Sequence, residues 1–265
     1  MCGVIYTSDL RMITAEQARR FRSALDRILL EEERERHGIG MQKEKTVHAV
    51  LKYFENPDED SHEIPIAGHI ADIYDGHRVT EIQTANLGAI RDKLDTMLPL
   101  CPVRVVHPIP HRKWVSWIDP GTGEVGKKNR SPVVGSFFSA FRELYRISSY
   151  LEHPNLEIEL LLLDLEEYRL QDGWGRDGKR GSHRFDRLPV SLEGQMLLTQ
   201  PRDYLQFIPL DLEEPFTAAE LAAAWKDRGR AASQAALVLR RLGVIEQVGK
   251  RGRSYLYRAV EWPEG

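Results

Sequence analysis

The sequence predicts an α/β fold, in which a mixed sheet is flanked by helices and a small α+β domain follows. Three observations indicate it. Strand-like apolar runs and helical patterns succeed one another over the first 200 residues, an Asp75-Gly76 pair separates two of the runs, and a helix–helix–hairpin pattern begins at Glu213. With 265 residues and 42% hydrophobic composition, the chain is long enough for one main core and one smaller domain.

The first element is an amphipathic helix. Residues 14–17, Thr-Ala-Glu-Gln, match a capping box, and apolar residues recur at helical spacing up to the charged run Glu31–Arg36. Residues 1–40 are therefore predicted to form an N-terminal helical segment packed on the main domain. A dimerisation or partner-binding helix is the alternative, which leaves a homodimer open.

The main domain is predicted over residues 41–200 and begins with a helix over Gln42–Glu55. Its apolar residues follow a helical period, and Glu44 stands in line with Val47 and Leu51. Glu44 is therefore expected to lean toward the core.

A hairpin with two carboxylates follows. Asp75-Gly76 predicts a two-residue primed turn, which sets Tyr74 opposite His77 and Asp72 opposite Val79. Alternation then places Asp72, Val79, Glu81 and Gln83 on one face, with Asp72 and Glu81 as diagonal neighbours about 7–8 Å apart. Two carboxylates at that spacing suit a hard divalent cation, Mg²⁺ or Mn²⁺.

This order of elements, with the helix glutamate, Asp72, Glu81-Ile82-Gln83 and a following helix over Leu87–Leu98, resembles the PD-(D/E)XK nuclease superfamily, which has the restriction-endonuclease-like fold. The resemblance covers about residues 41–120. It implies that Glu44, Asp72 and Glu81 bind Mg²⁺ and that Gln83 orients the attacking water. Lysine is usual where Gln83 stands, and some members of the superfamily carry Gln. In other members the lysine lies on the following helix, where Lys93 or Arg91 would serve here.

The rest of the main domain is predicted to extend the sheet. Strands are expected at Pro102–His107, Lys113–Ile118 and Leu156–Leu165, and a helix at Phe137–Leu151. A glycine-rich basic loop follows at residues 172–184, either as a solvated loop or as a phosphate-binding one. Its candidate DNA contacts are Arg176, Lys179, Arg180 and Arg184.

After a linker at residues 201–212, residues 213–265 resemble a winged helix-turn-helix domain. Thr217 to Glu220 match a capping box, Gly243 is predicted to end a second helix, and a hairpin with a basic tip follows. The resemblance implies DNA binding, with a protein-interaction module as the alternative. The candidate DNA contacts are Arg230, Gln234, Arg240 and Arg241 on the helix, and Lys250, Arg251 and Arg253 on the wing.

Composition bounds the function. The net charge is −3, so basic residues must be concentrated locally if the protein binds nucleic acid. Two cysteines exclude a disulfide framework, and neither a membrane span nor a signal peptide is recognisable, so we expect a cytoplasmic protein. The sequence thus suggests a metal-dependent DNA endonuclease-like hydrolase acting on duplex DNA. The alternative is a non-catalytic DNA-binding regulator or adaptor that uses a degenerate nuclease fold as a scaffold.

Overall fold

The computed structural model describes residues 13–35, 46–170, 183–227 and 231–262. Short 3₁₀ turns lie at Glu59–Ser61, Leu87–Ile90, Phe137–Ala140, Tyr145–Ile147 and Pro201–Phe207. The α-helices in the described ranges are α1 Ala15–Glu35, α2 Thr46–Glu55, α3 Arg91–Met97, α4 Phe141–Leu144, α5 Ala218–Ala224 and α6 Ala232–Arg241.

The described strands form two sheets. They are β1 His62–Ile66, β2 His69–Tyr74, β3 Val79–Ile82, β4 Val103–Ile118, β5 Asn129–Arg130, β6 Leu156–Leu170, β7 His183–Leu198, β8 Phe216–Thr217, β9 Ile245–Arg251 and β10 Ser254–Ala259. The main sheet has the order β1-β2-β3-β4-β6-β7, with β5 also paired to β4. Strands β3, β4 and β6 are parallel and the other pairings are antiparallel. The predicted α/β class with a mixed sheet flanked by helices is confirmed.

Apolar residues on both faces of the sheet bury it between two layers. On β6, Ile158 and Leu160 face the core that includes α3 and α4, whereas Leu161 and Leu163 face the core beneath α1 and α2. This two-sided burial is what the run of four leucines predicts, because successive strand residues point to opposite faces.

The predicted N-terminal helix lies on the second of these layers. Thr14 and Gln17 form the expected capping box, with Gln17 N donating to Thr14 Oγ1 at 3.1 Å and Thr14 N to Gln17 Oε1 at 2.7 Å. Phe21 of α1 meets Phe54 of α2 edge to face at 5.7 Å between ring centroids. The helix therefore packs on the main domain, through the core that it shares with α2.

The register of the β2–β3 hairpin differs from the prediction. Tyr74 pairs with Val79, where the sequence predicted His77. The shift is two residues, so each side chain keeps its predicted face. When the same register is continued by two residues, Asp72 lies opposite Glu81 instead of diagonal to it.

The loop chemistry explains this shift. The Asp75 carboxylate accepts the backbone N–H groups of His77 at 2.9 Å and Arg78 at 2.7 Å. Gly76 has a φ of 88° and is the one loop residue in the left-handed region. An aspartate that closes the loop with its own side chain replaces the primed turn, and four residues then connect the strands.

Two further elements differ from their predicted form. The strands expected at Pro102–His107 and Lys113–Ile118 are one strand, β4, with an irregularity in its pairing to β6 between Pro110 and Lys113. The helix expected at Phe137–Leu151 is a succession of short helical turns around α4. Pairing with the long strand β6 and packing of the aromatic core determine the backbone conformation of these elements, and they outweigh the local sequence pattern.

A network of charged side chains, partly or fully buried, lies between α2 and the sheet. Arg104 on β4 donates to Glu157 at 2.8 Å and to Glu159 at 3.2 Å, and the Glu159 side chain is 1% exposed. Glu55, at the end of α2, has a pKa raised to about 8 by burial and by the charge of Glu159, against the lowering effect of Arg104, Arg20 and Arg78. We call Glu55, Arg104, Glu157 and Glu159 the charge network.

The charge network makes stability depend on pH. A glutamate in the unfolded chain deprotonates near its ordinary pKa of 4.5, whereas folded Glu55 holds its proton to about pH 8. Between these values the folded state binds more protons, so stability should fall as pH rises, by at most about 1.4 kcal/mol per pH unit. We expect Glu55→Gln to flatten this decline in urea unfolding measured from pH 5 to 8. An unchanged slope would show that Glu55 titrates normally; Glu124→Gln, at an exposed carboxylate, is the control.

The C-terminal residues form a second, smaller unit. Helices α5 and α6 precede a sheet of order β8-β10-β9. The predicted capping box of α5 is present, with Glu220 N donating to Thr217 Oγ1 at 3.2 Å and Thr217 N to Glu220 Oε2 at 2.7 Å. Gly243, with a φ of 67°, follows α6 as predicted.

This unit packs directly on the main domain. Trp225 stacks on Phe138 at 6.2 Å between ring centroids and donates its Nε1–H to the Phe207 carbonyl at 2.9 Å. Tyr204 and Phe207, in the segment predicted as a linker, are buried in the same core. The linker segment is therefore a packed connection. Among the described helices, none is both long and apolar enough to cross a membrane.

Candidate functional site

Asp72 and Glu81, which we call the acid pair, lie where β2 and β3 part. The ladder between these strands ends at Ile73 and Thr80. Beyond it, Asp72 Oδ2 accepts the Ile82 N–H at 2.7 Å, so the side chain takes the place of a strand–strand hydrogen bond. This contact holds the Asp72 carboxylate next to β3.

Lys93 comes to the acid pair from α3. Its Nζ lies 2.7 Å from Glu81 Oε2 and 2.6 Å from the Ile70 carbonyl oxygen. Of the two helix cations predicted as substitutes for the missing lysine, Lys93 therefore reaches Glu81. Arg91 turns away and donates through Nε to the Arg146 carbonyl at 2.7 Å.

The two carboxylates differ in their protonation. Burial and the charge of Asp72 raise the pKa of Glu81 to about 7, although Lys93 opposes the shift. Burial also disfavours charge on Asp72, but hydrogen bonds from His48 and Ile82 and the charges of His48 and Lys93 outweigh it and lower its pKa. Asp72 is thus held ionised, whereas the pKa of Glu81 lies close to neutral pH.

Glu81 also has an unused ligand atom. Its Oε1 is buried and has no hydrogen-bond partner among the described residues. A buried carboxylate oxygen without a donor is costly, and a cation beside it would remove the cost. The donor set, two carboxylates with an orphaned oxygen, fits a hard divalent ion.

His48 is a site residue that sequence reasoning missed. Its Nε2 lies 3.1 Å from Asp72 Oδ2, and α2 carries it there on the edge of its buried stripe. A histidine at such an edge looks like a partly solvated helix residue in sequence. Only the position of α2 above β2 shows the contact.

Gln83 is engaged in the turn that follows β3. Its side-chain Nε2 donates to the backbone carbonyls of Ala85 at 2.7 Å and Asn86 at 3.2 Å. The backbone carbonyl of Gln83 accepts from His107 Nδ1 at 2.7 Å. Its side-chain nitrogen thus organises the turn, and its role in orienting water stays a prediction. Glu44, the third predicted metal ligand, lies outside the described residues.

A second group of ligand-type side chains consists of His111, Asp164 and Glu193, whose ligand atoms all lie within 4.8 Å of one another. Arg112 already neutralises it, with Nε 2.8 Å from Asp164 and Nη2 2.6 Å from Glu193. Because a guanidinium stands between the carboxylates, we assign no metal to this group.

The predicted DNA contacts fall into three sets. Arg176, Lys179, Arg180 and Arg230 lie outside the described residues. The second set contacts other side chains of the protein. Arg184 on β7 lies 3.6 Å from Glu167. On the wing, Arg251 is bound to Glu220 at 2.5 Å, and Lys250 lies over the Tyr255 ring, 4.9 Å from its centroid. Arg253 is exposed at the wing tip, and Gln234, Arg240 and Arg241 line one cleft.

Comparison with known proteins gives a family. Residues 45–199, more than half of the chain, match a domain of unknown function, DUF8091. The chain belongs to the DUF8091 family. The matched DUF8091 domain begins just before α2 and ends just after β7, so it contains the acid pair, Lys93 and His48.

One relative shares more than the DUF8091 domain. An uncharacterized protein of Treponema pallidum (strain Nichols) is 29% identical over 218 residues, which cover 82% of this chain and 85% of that protein. No solved structure matches the chain.

Proposed function

We propose that this protein is a metal-dependent nuclease that hydrolyses phosphodiester bonds in DNA. The observation that carries the proposal is the convergence of Lys93 on the acid pair, with Nζ 2.7 Å from Glu81. A carboxylate pair and a lysine are the groups that the PD-(D/E)XK resemblance requires. Here the lysine comes from α3 instead of from the residue two after Glu81.

The topology supports the same proposal. Strands β1, β2 and β3 form an antiparallel meander, and α3 connects β3 to the parallel strand β4. Helix α2 precedes the meander and packs on the face opposite α3. This order of elements is the one that the restriction-endonuclease-like fold implies.

Asp72 and Glu81 would hold Mg²⁺ or Mn²⁺, and Glu44 is the third ligand that the resemblance implies. A bound divalent ion supplies polarisation of the phosphoryl group and a lowered pKa for a bound water. Among the chain's own residues, His48 orients Asp72, and Lys93 neutralises Glu81 and presents an ammonium beside it. A lysine in that position can hold a water or a phosphate oxygen by hydrogen bonds and adds a positive charge. Glutamine can form the hydrogen bonds but adds no charge.

The C-terminal unit supports DNA as the substrate. Two helices and a hairpin with exposed Lys250 and Arg253 match the winged helix-turn-helix pattern, in which the wing meets phosphates. Arg251 contributes less to such contacts, because it is bound to Glu220 and to the Pro215 carbonyl.

Gln83 favours a second candidate, a DNA-binding regulator or adaptor without catalysis. Its side-chain nitrogen is occupied by the Ala85 and Asn86 carbonyls, so the usual lysine position offers no cation. In this second function the acid pair and Lys93 would be the remnant of a catalytic site, in which the lysine balances a carboxylate charge.

Incubation of the full chain with plasmid and linear duplex DNA separates the two functions. We expect cleavage with Mg²⁺ or Mn²⁺ and none with chelator. Intact DNA under every metal condition, together with a retained gel shift, would favour the regulator.

A further inference from the structure

A cleft of about 960 Å³ separates α6 from the main domain. Gln234, Leu237, Arg240 and Arg241 of α6 line one side. The other side is formed by Arg91 at the start of α3 and by the turns around α4. Its cations are Arg91, Arg142, Arg146, Arg240 and Arg241, and we call it the arginine cleft.

Three of the five guanidinium groups are available to a ligand, whereas Arg91 donates to the Arg146 carbonyl and Arg146 lies 3.3 Å from Glu143. Arg142 is exposed and has no polar partner among the described residues. Arg240 reaches Gln247 only at 3.5 Å, and Arg241 lies 3.6 Å from an exposed glutamate, Glu152. Exposed ion pairs of this kind contribute about 0–1 kcal/mol, so an anion can replace them at little cost.

The charge of the cleft selects a polyanion. Five arginines and one carboxylate, Glu143, line the cleft, and Glu152 lies 3.6 Å from Arg241, in a protein whose net charge is −3. Arginine binds phosphate oxygens in a bidentate manner. Because arginines occur on both sides, the cleft matches a ligand with several phosphates in a row.

Two exposed side chains indicate that the ligand also carries bases. Tyr145 is 47% exposed and Leu237 is 45% exposed, and both line the cleft. Aromatic rings beside a cationic groove are the platform on which single-stranded nucleic acids stack their bases. A recognition helix in a major groove needs its exposed face clear, whereas here the arginines of the main domain stand across from that face.

We propose that the arginine cleft binds a single-stranded nucleic-acid segment, with phosphates on the arginines and a base on Tyr145. This inference rests on the nucleic-acid substrate of the proposed function and names its form. The cleft and the acid pair share helix α3, because Arg91 lines the cleft and Lys93, two residues later, reaches Glu81; Glu143 of the cleft also accepts the Leu87 N–H at 3.0 Å, ahead of α3. A strand bound in the cleft is therefore held beside the helix that carries the site lysine.

The test measures binding separately from cleavage. Fluorescence anisotropy is recorded with the full chain carrying Glu81→Gln, in chelator, with a labelled 20-nucleotide single-stranded DNA and with the matching duplex. Arg142→Glu combined with Arg240→Glu reverses one charge on each side of the cleft. Arg22→Glu combined with Arg202→Glu makes the same charge change at exposed positions elsewhere.

We expect single-stranded DNA to bind more tightly than the duplex. The double variant in the cleft should weaken single-strand binding by about 10-fold or more at 100 mM salt, and the control pair should change it by less than about 2-fold. Tyr145→Ala should weaken it by about 5- to 100-fold if a base stacks there. Thermal unfolding confirms that each variant is folded.

Three results would overturn the inference. These are tighter binding of the duplex, equal losses in the cleft and control variants, and unchanged affinity in the double variant. Each can occur while metal-dependent cleavage by the unmodified chain persists, so failure of the cleft and failure of the nuclease proposal are distinguishable.

Discussion

Asp72→Asn and Glu81→Gln are each expected to lower metal-dependent DNA cleavage by about 1,000-fold or more, because each removes a charged ligand of the proposed metal site. Lys93→Met should lower it by about 100-fold, since it removes the ammonium that lies 2.7 Å from Glu81. DNA affinity in chelator should stay within about 2-fold, because phosphate contacts elsewhere supply most of it. Initial rates of plasmid nicking with Mg²⁺ and Mn²⁺ measure the effect.

Glu193→Gln is the matched control for these variants. It neutralises a carboxylate of the second acidic group, which Arg112 already balances, and we expect cleavage to continue. Loss of cleavage in Glu193→Gln with retention in Glu81→Gln would place the metal at His111, Asp164 and Glu193 instead. Cleavage that survives in both Asp72→Asn and Glu81→Gln would refute the acid pair as the metal site.

Arg104→Met is expected to destabilise the fold by about 3–5 kcal/mol, the cost of leaving a buried charge without its partner. Arg104 is 17% exposed and is bound to both Glu157 and Glu159. The loss should be smaller at pH 5 than at pH 8, because Glu55, whose pKa is raised to about 8, is protonated at pH 5, and burial raises the pKa of Glu159 in the same direction. Urea unfolding at the two pH values measures it.

A double-mutant cycle provides the control. Glu159→Gln in the Arg104→Met background removes the stranded charge, so part of the lost stability should return. Arg22→Met on the exposed face of α1 should change stability by less than about 0.5 kcal/mol. A loss below about 1 kcal/mol for Arg104→Met at pH 8 would mean that its carboxylate partners are neutral in the folded protein.

Elements whose signals are local were predictable. The capping boxes at Thr14 and Thr217 and the glycine after α6 appear where the sequence placed them, because each depends on a few adjacent residues. The two-sided burial of β6 followed from its leucine run. The hairpin between β2 and β3 was predicted in kind but not in register, since Asp75 closes the loop with its side chain.

Asp72 and Glu81 could be identified as a pair from the sequence, because the alternation of side chains along a strand depends only on neighbouring residues. Asp72 and Glu81 are separated by one turn, so a register error of two residues left their shared face intact. The sequence also offered Lys93 and Arg91 equally as replacements for the missing lysine. The choice depends on how α3 sits against β2, which no local pattern specifies.

The amino-acid sequence was sufficient to specify the α/β class, the capped helices, the acid pair and the composition of the C-terminal unit. Three contacts come instead from the packing of distant elements: Lys93 reaches Glu81, His48 holds Asp72, and arginines from two parts of the chain share one cleft. Local propensity and alternation act over a few residues. These contacts join α2, α3, α4 and α6, so they depend on how the helices pack on a common sheet.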